Sequence, residues 1–365
     1  MEKVNIGIIG CGNISSIYLE KSQTFDILKV AACADLIQSR AEAQGTKFGV
    51  KPCSVQDLLS NPEIEIVVNL TTPEAHASVA FDALMAGKSV YNEKPLAISL
   101  LDAKEMIKIA HDKGSRIGCA PDTFLGAGLQ TCRSVLDSGM IGRPVAATAF
   151  MLCHGHESWH PSPEFYYQVG GGPMFDMGPY YLTALIHLIG PVRRVCGSAS
   201  ISFSTRLITS QPKNGKEIHV EVPTHVVGVL DFANGALGTI ITSFDVWQHS
   251  LPRIEVYGTE GTLRVPDPNG FGGLVEVCKA GNSEWQIIPY THDYADNSRS
   301  LGVADMAHAI RSGRKHRASG ALAYHVLDIM HAVHEASSEE KYMVIDSLVE
   351  RPAPFPTGMK PGILD

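Results

Sequence analysis

The chain has 365 residues, is 44% apolar and 19% charged, and carries a net charge of −8. That composition suits a globular protein with room for two domains and excludes a disordered or collagen-like chain. The mild negative balance gives no electrostatic reason to bind nucleic acid or an anionic membrane, and the one basic cluster, Arg311, Arg314, Lys315 and Arg317, reads as a solvated helix end.

The N-terminal run MEKVNIGIIG is too short for a signal peptide, and no segment approaches the length of a membrane span. The first third then alternates. Strand-like runs at Asn5–Ile9, Leu28–Ala34, Ile64–Leu70, Ser89–Tyr91 and Arg116–Cys119 are separated by helical patterns at Ile14–Ser22, Gln38–Lys47, Glu74–Ala86 and Leu100–Lys113. Helices of this length between strands imply crossover connections and a parallel sheet. IEIVVNL is apolar on both faces, as a strand covered from both sides must be.

After Asp122 the rhythm changes. A helix is expected over Leu129–Asp137 and a long strand over PVAATAFML. A loop rich in histidine, proline and aromatics runs from Cys153 to Pro173. A helix from Pro179 to Ile189 follows, stopped by Gly190-Pro191. From Val192 to Ile288 the sequence reads as one largely antiparallel sheet with turns at ANG, GTEG and KAGN. Helices around Val303–Arg311 and Ala321–Ser337 follow, and the tail RPAPFPTGMKPG holds too much proline and glycine for regular structure. The change of rhythm divides the chain into residues 1–122 and 123–365. None of the eight cysteines forms a CxxC pair, so a reducing, cytoplasmic setting fits better than a disulfide framework.

Chemistry is signalled first at Gly10-Cys11-Gly12-Asn13-Ile14-Ser15, between the first strand and the first helix. Gly10 lets the chain turn, Gly12 lets backbone approach a pyrophosphate, and Ser15 takes the place of the third small residue. The second strand ends at Asp35, whose carboxylate can accept both hydroxyls of an adenosine ribose and repels a 2′-phosphate. NAD is therefore expected over NADP, with Arg40 able to soften the preference. Thr71, Thr72 and Pro73, with His76 beyond them, lie at another strand's carboxyl end, where open α/β sheets bind ligands; Thr72 or Glu74 can equally serve only to start a helix. Glu93-Lys94-Pro95 ends the fifth strand on the same rim. Pro95 keeps Lys94 out of the helical region and can sit in a cis bond. A lysine held beside a nicotinamide can bond a substrate hydroxyl and stabilise the developing alkoxide, whereas the tripeptide alone reads better as a surface turn with a solvated Glu and Lys.

Taken together, the glycine turn, Thr72-Pro73 with His76, Glu93-Lys94-Pro95, the stretch GGGPMFDMGPYYLTALIHLIGPV, YGTEGTL and the late helix around Asp305 resemble the Gfo/Idh/MocA oxidoreductases over essentially the whole chain. The resemblance implies a Rossmann dinucleotide-binding domain at 1–122 and an α/β domain with a large open, mostly antiparallel sheet at 123–365, and NAD(P)-dependent oxidation or reduction of a sugar, cyclitol or derivative, with Lys94 as the catalytic lysine. It also implies a homodimer or homotetramer formed through the C-terminal sheet. One departure stands out. Where the family commonly carries a histidine four residues after its aspartate, this chain has Asp176 and then Tyr180. On a helix Asp176, Tyr180, Thr183 and His187 share one side. An unperturbed phenol has a pKa near ~10, but a nearby ammonium favours the phenolate. A Lys94–Tyr180 pair with Asp176 orienting the substrate is one reading; Tyr180 as packing is the other.

The loop CHGHESWHPSPEFYYQVGGG holds His154, His156, Glu157 and His160 within seven positions. Such density can bind a metal, can form a structural loop, or can wall a sugar site, with Trp159, Tyr166 and Tyr167 stacking and the histidines, His156 among them, and Gln168 bonding hydroxyls. The family chemistry needs no metal, and none is expected. Gly170, Gly171 and Gly172 would let the loop pass close to a ligand or move as a lid. Asp122 and Thr123 are further candidates for sugar contacts, Asp122 also for the nicotinamide ribose. A glycosidase that recycles its NAD and a non-catalytic NAD-binding regulator remain alternatives, and the retained Lys94 and Asp176 argue against the regulator.

Overall fold

The structure, a computed structural model, describes residues 1–358 and 364. It divides into two compact units, one of Met1–Ala127, Thr291–Tyr324 and Pro352–Asp365, the other of Gly128–Tyr290 and His325–Arg351.

The first unit is built as β1 (Val4–Ile9), α1 (Ser15–Ser22), β2 (Leu28–Ala34), α2 (Gln38–Phe48), β3 (Lys51–Cys53), α3 (Val55–Ser60), β4 (Ile66–Asn69), α4 (Pro73–Met85), β5 (Ser89–Asn92), α5 (Leu100–Asp112) and β6 (Ile117–Cys119). The six strands run parallel in the order β3-β2-β1-β4-β5-β6. Chain order reverses between β1 and β4, which makes their carboxyl ends the switch point where such sheets take ligands. Val4, Ile6, Ile8, Ile66, Val67, Val68 and Val90 have no exposed surface, because helices cover both sides of the sheet. The elements expected from the sequence are present; β3 and α3 are additions. A three-residue strand containing Pro52 carries almost no periodic signal, although Ser54, which accepts from the backbone N–H of Asp57, is an ordinary helix cap.

The second unit begins within α6 (Ala127–Asp137) and continues through β7 (Pro144–Leu152), α7 (Gly172–Leu188), β8 (Val192–Ser200), β9 (Thr205–Leu207), β10 (Glu217–His219), β11 (His225–Phe232), β12 (Leu237–Ser243), β13 (Ile254–Gly258), β14 (Gly261–Val265), β15 (Glu276–Lys279) and β16 (Gln286–Ile287). After these come α8 (Leu301–Ser312), in the first unit, α9 (Gly320–Glu339), in the second from His325 onward, and β17 (Met343–Val344). Nine strands form one sheet in the order β16-β15-β14-β13-β7-β12-β11-β8-β17, antiparallel except for the parallel pair β7–β12. Helix α7 packs on β7, β11 and β12. Buried positions alternate along β11 and β12, so one face of the sheet is the core and the other is half-open.

Three expectations are corrected. A single boundary after residue 122 fails to describe the compact units, because residues 291–324 pack with the first one. Helix α7 starts at Gly172 rather than Pro179. Pro173 occupies its first turn, where a missing N–H costs nothing, and burial of its apolar residues carries it through Pro179. The basic cluster is no solvated helix end either. Arg314 Nη2 lies 2.8 Å from Asp305 Oδ1, Arg317 donates to both Asp305 oxygens, and Asp305 is fully buried. Residues 351–358 of the proline-rich tail are irregular as expected; 359–362 lie outside the described residues.

Candidate active site

The rim of the first unit is built from strand ends. Gly10 turns the chain after β1 with φ +99°, and a Cβ there would lie 2.6 Å from the carbonyl carbon of Leu70, so only glycine fits. A Cβ on Gly12 would meet nothing within 4 Å. The space beside Gly12, at the start of α1, is thus a cradle that the chain leaves for something else. Helix α1 has no side-chain cap, and Asn13 is exposed with Ile14 half-buried beside it. Its first N–H groups and the positive end of its dipole suit a pyrophosphate. Asp35 follows β2 and accepts from the N–H of Cys11 at 2.7 Å and of Ile37 at 2.8 Å, one on each oxygen. Each oxygen keeps a lone pair for a ribose hydroxyl.

A polar network joins the ends of β4 and β5. Asn69 accepts from the Thr71 hydroxyl at 2.7 Å and donates to Asn92 Oδ1 and to the His76 carbonyl, both at 3.0 Å. Asn92 in turn donates to the Leu96 carbonyl at 3.0 Å. His76 is buried, with Nδ1 2.7 Å from the Pro95 carbonyl oxygen and Nε2 3.1 Å from that of Thr71. Burial lowers its pKa against the pull of those carbonyls, and a neutral imidazole has one N–H for the two acceptors. Both ring nitrogens of His76 face carbonyl oxygens inside the chain, so its ring positions Thr71 and Pro95. Thr72 stands at the start of α4, followed by Pro73, and its side chain makes no capping bond.

Glu93 is held from two sides. Its Oε1 accepts from the Tyr18 hydroxyl at 2.7 Å, and its Oε2 from the backbone N–H of Lys94 at 3.0 Å. Tyr18 lies on α1, so the helix that opens at the glycine turn also braces the lysine loop. The Lys94–Pro95 bond is cis and Lys94 is half-buried. Asp122, expected at the ribose, is instead buried and accepts from the Gly302 N–H at 3.0 Å, tying down the start of α8. Burial raises its pKa to about 6, with the Gly302 bond and Arg299 working the other way. Thr123 beside it is also buried.

In the second unit Asp176 sits in the second turn of α7, and His156 Nε2 lies 3.2 Å from its Oδ2. Tyr180 is one turn on and 7% exposed. The His156 ring is boxed by Tyr166, Phe244 and Trp159, with centroids at 4.1, 4.8 and 5.2 Å. The loop around it is braced to the β9–β10 hairpin. The Glu157 carbonyl accepts from Thr209 and Ser210 N–H, Lys213 pairs with Glu164 at 2.5 Å, and the Glu157 carboxylate lies 3.3 Å from Arg206 Nε. Tyr167 is corrected as a stacking surface. It is fully buried under the Arg206 guanidinium, whereas Trp159 is 61% exposed. The histidines do not converge: His154 stacks on Trp247 at 3.3 Å and the Ser162 N–H donates to His160 Nδ1. Among the described residues no group of three or more His, Cys, Asp or Glu side chains is placed to hold a metal ion.

Sequence reading missed Tyr18, Asn69 and Asn92. Two of them had a visible signal, a polar residue closing an apolar strand. It also missed the pairing of His156 with Asp176, which no spacing rule connects.

Comparison with known proteins bears on this geometry. Residues 4–120 match a family model described as an oxidoreductase family with an NAD-binding Rossmann fold, and residues 129–264 match one described as the GFO/IDH/MocA C-terminal domain. The 1,5-anhydro-D-fructose reductase of Ensifer adhaerens is 29% identical over 265 residues, 70% of this chain and 74% of that protein. The myo-inositol 2-dehydrogenase of Thermotoga maritima is 26% identical over 71% of this chain and 74% of its own length. A levoglucosan dehydrogenase solved with NADH shares the fold, with a TM-score of 0.81 at 21% identity over 95% of this chain and 100% of that one.

Proposed function

This chain belongs to the Gfo/Idh/MocA oxidoreductases, and on that premise we propose that it interconverts a secondary alcohol and a ketone on a sugar, cyclitol or related polyol, with NAD as the cofactor. The observation that carries the proposal is the doubly braced lysine loop. Tyr18 and the Lys94 N–H hold Glu93, and His76 holds Pro95, at the carboxyl end of β5 in an NAD-binding Rossmann unit.

The residues present fit the cofactor. The open space at Gly12 and the uncapped start of α1 would take the pyrophosphate, with Gly10, Asn13 and Ile14 shaping the turn. Asp35 would take the adenosine ribose; Thr71, Thr72 and Pro73 would line the rim with Glu93 and Lys94. The bound nicotinamide supplies a two-electron acceptor or donor of hydride. Lys94 donates to the carbinol oxygen and offsets the negative charge that grows there. Asp176 orients the reacting hydroxyl, with Tyr180, Thr123, His156 and Trp159 as further substrate contacts.

Incubation with NAD and a panel of myo-inositol, D-xylose and levoglucosan, followed by NADH absorbance, tests this reading. Accumulating NADH supports it. Release of an aglycone without net NADH would assign the chain to glycosidic cleavage with recycled NAD, and neither signal would favour a non-catalytic regulator.

Two further assignments rest on surface chemistry. Val145, Leu237 and Val344 on strands of the nine-stranded sheet are exposed apolar side chains, which supports packing of further copies there as a homodimer or homotetramer; sedimentation at two concentrations checks it. All eight cysteines are free thiols, which supports a reducing, cytoplasmic setting. Among the described residues no helix is long and apolar enough to cross a membrane.

A further inference from the structure

We propose that His156 is the proton acceptor of the reaction, a role that rests on the dehydrogenase reading above and that the sequence alone offered to Tyr180. The observation is one pair in the second unit. His156 Nε2 lies 3.2 Å from Asp176 Oδ2, both side chains are mostly buried, and among the described residues this is the ring's one hydrogen bond. An ionised carboxylate can only accept, so the shared proton sits on Nε2. Nδ1 then carries the lone pair. The ring is not sealed off, since the His156 side chain is 12% exposed. A carboxylate has fixed the tautomer and left the opposite nitrogen as an accessible base.

Packing fixes the ring as well. Trp159 and Tyr166 of the same loop, and Phe244 just after β12, meet the imidazole edge-on. The His156 segment is also stapled to the chain near β9 through the Glu157 carbonyl, so the loop is braced in place. A general base must be oriented before the substrate arrives, and this one is. Tyr180 offers less. It is almost wholly buried, at 7% exposure.

The step balances. With nicotinamide bound, the carbinol carbon would lose hydrogen with two electrons as hydride to it. The hydroxyl proton passes to His156 Nδ1 and the C–O bond becomes a carbonyl. In the reverse direction the imidazolium returns that proton. The loop sequence around His156 is thereby explained as the mount of a base, with exposed Trp159 beside it as a face for the apolar side of a sugar ring.

Two measurements on the full chain test this. In the first, histidine-selective ¹⁵N spectra of the free protein at mildly alkaline pH are assigned with His156→Asn. The proposal expects the His156 proton on Nε2, with a slowly exchanging N–H signal that Asp176→Ala abolishes. A proton on Nδ1, or a spectrum that Asp176→Ala leaves unchanged, would overturn it. In the second, NADH formation is followed with myo-inositol, D-xylose and levoglucosan. His156→Asn is expected to lower kcat by about 100-fold or more, the range for a positioned acid/base, and Tyr180→Phe by less than about tenfold. The opposite order would return the proton to Tyr180. If the unaltered chain reduces NAD with none of the polyols, the dehydrogenase reading fails, while the ¹⁵N spectra still decide whether Asp176 presets His156.

Discussion

His76 Nδ1 lies 2.7 Å from the carbonyl oxygen of Pro95, the residue that follows the lysine assigned to the reacting oxygen. The same ring reaches Thr71 with its other nitrogen at 3.1 Å. A buried side chain thus spans the chain ends that follow β4 and β5. His76→Leu removes the ring's one N–H and leaves a buried carbonyl without its donor, which costs about 1–3 kcal/mol of stability. It also frees the Lys94 loop, and turnover is expected to fall on the order of 10- to 100-fold, the cost of a small misplacement at the reacting centre. NAD titration of the variant should give a Kd near the parent's, because Gly10, Gly12 and Asp35 are untouched.

Gly10 and Gly12 separate folding from binding. Gly10→Ala drives a Cβ to 2.6 Å from Leu70 backbone at φ +99°, and thermal unfolding should show a loss of about 1–3 kcal/mol. Gly12→Val meets open space in the chain, so unfolding should stay within about 0.5 kcal/mol of the parent. Calorimetric titration should nonetheless show NAD affinity reduced by more than about tenfold, or 1.4 kcal/mol. Gly12→Val binding NAD normally would remove the cofactor from this cradle.

Much of this was legible in the residues, for a physical reason. A turn that must hold two glycines between a strand and a helix leaves a local signature, and strands buried on both faces leave apolar runs, so the parallel sheet and its rim could be read in order. What could not be read depends on distant partners. Asp122 looks like a rim carboxylate until Gly302, 180 positions away, claims it. Tyr167 and Trp159 look alike as aromatic residues of one loop, and only Arg206 and the β9–β10 hairpin decide that one is buried and the other open. Asp176 and His156 lie 20 positions apart across a loop with no repeat, so their pairing has no periodic trace.

Asp35→Ala should weaken NAD by more than about tenfold, since a charged group that accepts two ribose hydroxyls contributes more than a neutral bond. NADP should weaken less, because the repulsion of a 2′-phosphate disappears with the carboxylate. The Kd ratio of the two cofactors, measured on parent and variant, checks the sign. An unchanged ratio would place the adenosine ribose away from β2.

Stability should fall in mild acid. His325 is fully buried, accepts from the Val192 N–H at Nε2, and burial lowers its pKa from near 6.5 to about 4. Below pH 6.5 the unfolded chain therefore binds more protons here than the folded one. Its contribution is fully present above pH 6.5 and is lost as pH falls toward about 4, by about 3 kcal/mol in total. Denaturant unfolding of the parent and of His325→Gln at pH 7.0, 5.5 and 4.5 should show a steeper acid slope in the parent.

The most direct test of the account is turnover of Lys94→Met, read as NADH formation at saturating NAD with whichever polyol the parent oxidises, beside a calorimetric Kd for NAD. The account predicts a fall in kcat of about 100-fold or more, as when a charge-stabilising donor is removed, with the Kd near the parent's. A variant that turns over within a few-fold of the parent would contradict the assignment of that lysine to the reacting oxygen.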